Sequence, residues 1–109
     1  MIESIFGSIN KERVLIYLVA RGEGYSRELA RFFDTDLAPI QNQLEKLEIG
    51  GVLFSKSVGR TRVYMFNPRY PFLKELKELL QKVLEFYPDQ EKDKLLMNRR
   101  RPRRAGKPL

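Results

Sequence analysis

The chain contains no cysteine, no histidine and no tryptophan. Without Cys, disulfides, thiolate nucleophiles and thiolate metal sites are excluded. Without His, the commonest metal ligand and the commonest general base near neutral pH are gone. Most familiar hydrolytic and redox chemistries lose their usual residues, so no catalytic residue, cofactor or metal site is assigned. Long apolar runs are missing too. Nothing approaches the roughly 18 residues of a membrane span, and no membrane partner is expected. The first apolar stretch, Val14 to Ala20, follows charged residues and lacks a small-residue cleavage site, which makes a cytoplasmic location the expectation. What is present suits one small domain: 109 residues, of which 42% are hydrophobic and 32% charged.

Acidic residues are the scarcer charge, 14 against 21 Lys and Arg, for a net +7. That excess sits at one end. Arg99, Arg100, Arg101, Arg103, Arg104 and Lys107 fall in the last 12 residues, which hold no acid, so the remainder nets only +1. A near-neutral body with a basic, Pro- and Gly-containing tail predicts a folded domain over 1–87 and a disordered arm over 88–109. Such an arm either binds polyanions without sequence preference or inserts arginines into a narrow minor groove.

Along the body, Val14, Leu15, Leu18 and Val19 beside Lys11, Glu12 and Arg13 predict an amphipathic helix over 8–20, closed by Gly22 and Gly24. A short helix precedes it at 2–6. Ser26 is the expected N-cap of a helix through Phe33, with Leu29, Ala30 and Phe33 on one face. Asp36 caps the next helix, where Leu37, Ile40, Leu44 and Leu47 recur at spacings of 3, 4 and 3. Pro39 falls in its first turn, where a missing N–H costs nothing, and Gly50-Gly51 ends it through positive φ. Residues 52–58 and 61–67, rich in β-branched and aromatic side chains, flank Gly59-Arg60 and predict a hairpin. Pro71 suits the first turn of a last helix over 71–87, with Phe72, Leu76, Leu79, Leu80, Val83, Leu84 and Tyr87 on a broad apolar face. A further helical stretch over 89–98 is compatible with the sequence but poorly patterned. The fold class is mainly α with a small β-hairpin.

Two short helices joined by a tight turn, a glycine stop and a basic-tipped hairpin make the order of a winged helix-turn-helix domain. The stretches Ser26-Arg27-Glu28-Leu29-Ala30-Arg31, Leu44-Glu45-Lys46-Leu47-Glu48-Ile49-Gly50-Gly51-Val52 and Arg62-Val63-Tyr64 resemble ArsR-like winged helix transcriptional regulators. The stretch Asn67-Pro68-Arg69-Tyr70-Pro71-Phe72-Leu73-Lys74-Glu75-Leu76 is similar to a branch of those proteins sometimes joined to nucleotidyltransferase domains. The resemblance spans about residues 8–87. It implies a homodimer on double-stranded DNA, with helix 36–50 in the major groove and a wing over 52–67 on backbone or minor groove.

On that helix Ala38, Pro39, Gln41, Asn42 and Gln43 form the expected base-reading face, because Gln and Asn can each pair bidentately with adenine. Lys46 follows them, and Glu45 opposes close approach to DNA. Lys56, Arg60 and Arg62 bracket the hairpin turn and suit phosphate or minor groove. Arg27 and Arg31, one turn apart, suit phosphate as well, with Arg31 alternatively paired to Glu28 or Asp34. Metal sensing of the kind built from Cys and His is ruled out. Asp34-Thr35-Asp36 has the D-x-D spacing with which nucleotidyltransferases hold Mg²⁺, but it lies between helices and Asp36 serves as a cap. The apolar face of helix 71–87 is wider than one small core requires and predicts a two-fold dimer.

The leading expectation is a dimeric, sequence-specific transcriptional regulator that catalyses nothing. The alternative is a protein-interaction module docking a partner such as a nucleotidyltransferase. A third is nucleic-acid binding through the tail alone, without sequence preference.

Overall fold

A computed structural model describes residues 1–96 as six helices and three short strands. The predicted basic arm, including Arg99 to Lys107, lies outside the described residues. In chain order the elements are α1 (Glu3–Phe6), α2 (Ile9–Arg21), β1 (Glu23–Gly24), α3 (Ser26–Phe32), α4 (Leu37–Ile49), β2 (Leu53–Val58), β3 (Thr61–Phe66), α5 (Leu73–Glu85) and a helical stretch α6 over 89–96. The architecture is mainly helical with a small antiparallel sheet. Among the described residues no helix is long and apolar enough to cross a membrane.

The centre is α2. Ser8 starts it by accepting from the Asn10 and Lys11 amides at 3.1 and 3.2 Å. Val14 to Leu18 and Ala20 are all buried, so this helix is wrapped nearly all round rather than amphipathic, with Val19 only half-buried. Glu12 is buried among these apolar residues at 0% exposure. Its carboxylate accepts from the Ile2 amide (2.8 Å), the Met1 ammonium (3.0 and 3.2 Å) and the Tyr87 hydroxyl (2.5 Å). A buried charge persists only with such partners, and these tie the first residues and the end of α5 to the core helix.

Ser26 is the first residue of α3 rather than its cap; Tyr25 is the N-cap, and Glu28 reaches back to the Tyr25 amide at 3.4 Å. The helix ends at Asp34, whose φ of 52° is left-handed. Thr35 donates to the Ala30 carbonyl and Asp34 to that of Arg31, the paired bonds with which such a turn satisfies orphan carbonyls. Asp36 sits at the N-cap of α4 as expected, but its side chain makes no capping bond. Pro39 is in the first turn. Of the two glycines behind α4 only Gly51 has positive φ, 82°, while Gly50 is right-handed.

The hairpin β2–β3 pairs Leu53 with Phe66 through Val58 with Thr61 about the Gly59-Arg60 turn. The sheet also has a third strand that the sequence does not announce. β1 pairs Glu23 with Met65 and Gly24 with Tyr64, giving the order β1-β3-β2. Two residues carry no alternation to detect, and the pairing exists because β3 has a free edge. Gly24 fits because it lacks a side chain. An added Cβ would lie 2.8 Å from Leu29 Cδ1 and 2.9 Å from Tyr17 Cε1.

The last long helix is shorter than the predicted 71–87. It begins at Leu73 after a Pro71-Phe72 turn, and Tyr87 lies past its end, where its ring is buried and its hydroxyl reaches Glu12. The folded body also runs beyond the expected boundary at 87. Leu95 of α6 is fully buried, and Arg21 donates to the carbonyls of Lys94 (3.1 Å) and Leu95 (3.0 Å) while its guanidinium lies 4.7 and 5.0 Å from the ring centroids of Tyr17 and Phe32. Leu95, with Leu96 packed against the same cluster, and the Arg21 bonds attach to the core a segment whose own pattern is weak.

Candidate nucleic-acid interface

Between the start of α3, the outer face of α4 and the hairpin runs an open groove of about 510 Å³. Tyr25, Ser26 and Arg27 form one end; Gln41, Glu45 and Glu48, on successive turns of α4, form one wall; Arg60, Thr61, Arg62 and Tyr64 form the other. The spacing of Gln41, Glu45 and Glu48 follows from helix geometry, since positions three and four apart share a face. Leu37, Ile40, Leu44 and Leu47 turn the other face inward, with Ile40, Leu44 and Leu47 buried.

The hairpin is fastened to α4 by a short relay. Arg62 Nη1 donates to Ser55 Oγ at 2.9 Å, and Ser55 Oγ donates to Glu48 Oε2 at 2.6 Å. A charge-assisted bond at each end fixes the angle between hairpin and helix. Tyr64 lies behind the relay. Burial pushes its hydroxyl pKa above the ordinary value, and the Glu48 and Glu45 carboxylates add to this against the opposing pull of Arg62. The groove therefore holds three guanidinium groups and two carboxylates, an excess of one positive charge.

The predicted contacts divide. Gln41, Arg27, Arg60 and Arg62 are brought together in the groove. Ala38, Asn42 and Lys46 are exposed on α4 but do not line it. Pro39 is half-buried. Gln43 is half-buried as well, and its Oε1 is shut off from solvent with no hydrogen-bond partner among the described residues, so it is poorly placed to read a base. Lys56 is exposed on β2 away from the groove. Arg31 is exposed, and among the described residues it makes no ion pair with Glu28 or Asp34. Sequence reasoning missed Ser55, Glu48 and Tyr64. The only available signal was a Ser diagonal to an Arg across a hairpin, since Ser55 is paired with Tyr64 and Ser57 with Arg62, and that is too common to single out.

The predicted interface on the last helix also divides. Leu80, Val83, Leu84 and Tyr87 are buried in the molecule's own core. Leu76 is half-buried, while Phe72 and Leu79 remain 63% and 39% exposed. Phe86, not included in the prediction, is 66% exposed. Among the described residues no group of three or more His, Cys, Asp or Glu side chains is placed to hold a metal ion. No protein-family model matches the chain, and no curated protein matches it.

Proposed function

We propose that the chain is a sequence-specific double-stranded-DNA-binding regulator of the winged helix class, acting as a homodimer that occupies promoter DNA to block or recruit polymerase. In this reading α3 and α4 are the helix-turn-helix, β2–β3 is the wing, and α4 enters the major groove. The observation that carries it is the exposed pair Gln41 and Asn42 on α4, beside a groove in which Arg27, Arg60 and Arg62 converge. Amides on a helix face can read base edges, and guanidinium groups flanking them hold phosphates and set register. The shape fits as well. A helix of 13 residues is about 20 Å long and about 10–12 Å across, which a major groove about 12 Å wide admits.

Dimerisation is supported by α5 and the turn before it. Phe72, Leu79 and Phe86 remain exposed at spacings of seven, the repeat of a helix face that packs on another helix, while Leu76 and Val83 between them face the molecule's own core. Leu79 is the midpoint between Phe72 and Phe86. An antiparallel second copy about a two-fold axis at Leu79 stacks each Phe72 on the partner's Phe86 and brings Glu75 near the partner's Lys82. Neither charge makes an ion pair among the described residues.

A protein-docking role is favoured by one observation, the groove's near balance of charge, with Glu45 and Glu48 facing where phosphates would lie. In vitro selection of random duplex DNA separates the two readings, run with the full chain and with the chain ended after Met97. Enrichment of a pseudo-palindrome with half-sites about 34 Å apart by both proteins is the expected result. Ending the chain early then lowers the salt dependence but keeps the preferred sequence. Gln41→Ala or Asn42→Ala relaxes preference at single positions by about 1–3 kcal/mol. No enriched motif from either protein overturns the reading in favour of docking.

A further inference from the structure

A second cavity, of about 460 Å³, opens away from the groove, between the end of α2, the sheet and one flank of α5. Its lining is mixed, with polar and apolar surface about equal: the apolar side chains are Leu18 and Val19 from α2, Phe54, Met65 and Phe66 from the hairpin, Pro68, and Leu73 at the start of α5. Lys77 and Gln81 follow Leu73 at one-turn intervals along the same flank and stand at the rim. Among the described residues no carboxylate lines the cavity. The Lys77 ammonium lies 5.5 Å from the Phe66 ring centroid, and it makes no ion pair among the described residues. A cation held over an aromatic face beside exposed apolar side chains, with an amide donor one turn on and no competing acid among the described residues, is complementary to a small molecule with an apolar body and a negative end.

We propose that this cavity binds a small amphipathic carboxylate, an aliphatic or aryl acid. Its apolar body lies against Phe54, Met65 and Leu73, and its carboxylate meets Lys77 and Gln81. The cavity has the size of ordinary ligand pockets, about 300–1,000 Å³. It is also placed to regulate. Phe54 and Met65 lie on the face of the hairpin opposite the one that carries Arg62 and Tyr64 into the groove, whereas Lys77 and Gln81 belong to the helix that carries the proposed dimer seam. A ligand spanning both favours one angle between hairpin and α5, and its differential affinity for that arrangement is what it transmits. Binding of the acid stands independently of DNA recognition; the regulatory consequence rests on that reading.

The test is a titration of the ¹⁵N-labelled full chain with octanoate, followed by amide chemical shifts and repeated with octan-1-ol. Saturable shifts at Phe54, Met65, Phe66, Lys77 and Gln81 are expected. Lys77→Gln weakens octanoate by about fivefold or more, as for loss of a partly exposed ion pair, and leaves octanol unchanged. Lys92→Gln, on α6 and outside the cavity lining, leaves both unchanged. Three results would overturn the proposal: no saturation by about 10 mM, where affinity has no specific content; shifts centred on Phe72, Leu79 and Phe86; or octanoate affinity indifferent to Lys77→Gln. The titration contains no DNA, so its failure removes this inference alone, and a failed selection leaves the cavity's ligand untouched.

Discussion

Replacing Tyr87 by Phe deletes one oxygen and isolates the bond that holds the end of α5 to α2. That hydroxyl donates at 2.5 Å to a carboxylate with no solvent exposure, the length of a charge-assisted O–H···O⁻ bond. Bonds to charged groups contribute about 1.5–3 kcal/mol. The Glu12 carboxylate keeps the Ile2 amide and the Met1 ammonium after the substitution, so it is not left bare, and the expected cost is about 2 kcal/mol. For a domain of this size that lowers Tm by about 8–16 °C. Glu12→Ala strands both the hydroxyl and the amide and costs more, about 3–5 kcal/mol. The same bond has a signature in pH. Burial raises the Tyr87 hydroxyl pKa well above 10, with the Glu12 hydrogen bond adding to it. A raised folded pKa means stability is fully present below the unfolded value and falls as pH rises, because the native state holds a proton that the unfolded chain releases. Above about pH 10 the loss is about 1.4 kcal/mol per pH unit for each such tyrosine. Burial raises Tyr17 and Tyr64 in the same direction. Urea unfolding followed by circular dichroism at pH 7 and between pH 10 and 11.5 measures both effects. Tyr87→Phe should be weaker at pH 7 and show a shallower alkaline decline. A change under about 0.5 kcal/mol at pH 7 with an unchanged alkaline slope would refute the reasoning, since that is the range of inconsequential surface substitutions.

Gly24→Ala should destabilise the fold by about 1–3 kcal/mol, because the new Cβ meets Leu29 and Tyr17, both buried and unable to give way; thermal unfolding checks it. Arg21→Ala removes the bonds to the Lys94 and Leu95 carbonyls of α6 and to the Tyr17 hydroxyl, and a guanidinium packed beside two rings. Amide exchange over 92–96 should quicken about 5–30-fold, for a loss of one to two kcal/mol. Leu79→Glu places like charges on the proposed two-fold axis and removes two leucines from the seam. Its dimer dissociation constant, by sedimentation equilibrium, should rise about 100-fold with the circular dichroism spectrum unchanged. A parent chain that is monomeric at micromolar concentration would sink the dimer before that variant is made.

Much of the fold is local and so could be read along the chain. The Ile40-Leu44-Leu47 spacing, the positive-φ Gly51 and the β-branched runs about Gly59-Arg60 each specify an element without reference to anything distant. The places that went unread are those where distant residues decide. β1 is two residues long and exists through the edge of β3. α6 is held by Leu95 and by Arg21, 74 positions earlier. Gln43 belongs to the polar side of α4 by spacing, yet its carbonyl oxygen is shut in. The wide apolar face of α5 was legible, but not its division between buried residues such as Leu80 and Leu84 and exposed ones such as Leu79.

By itself, then, the sequence determined the order of elements, the lack of the side chains on which thiol and imidazole chemistry depends, and the gathering of positive charge at one end. Those properties follow from composition and short-range periodicity, which any segment carries with it. Only the tertiary structure decided that Arg27, Gln41, Arg60 and Arg62 share one groove, that Glu12 holds Tyr87, and that Lys77 stands over Phe66 at the rim of a second cavity. Each of these joins residues far apart in the chain. The contacts come from burying α2 on all sides, and that packing sets which polar groups are left facing one another.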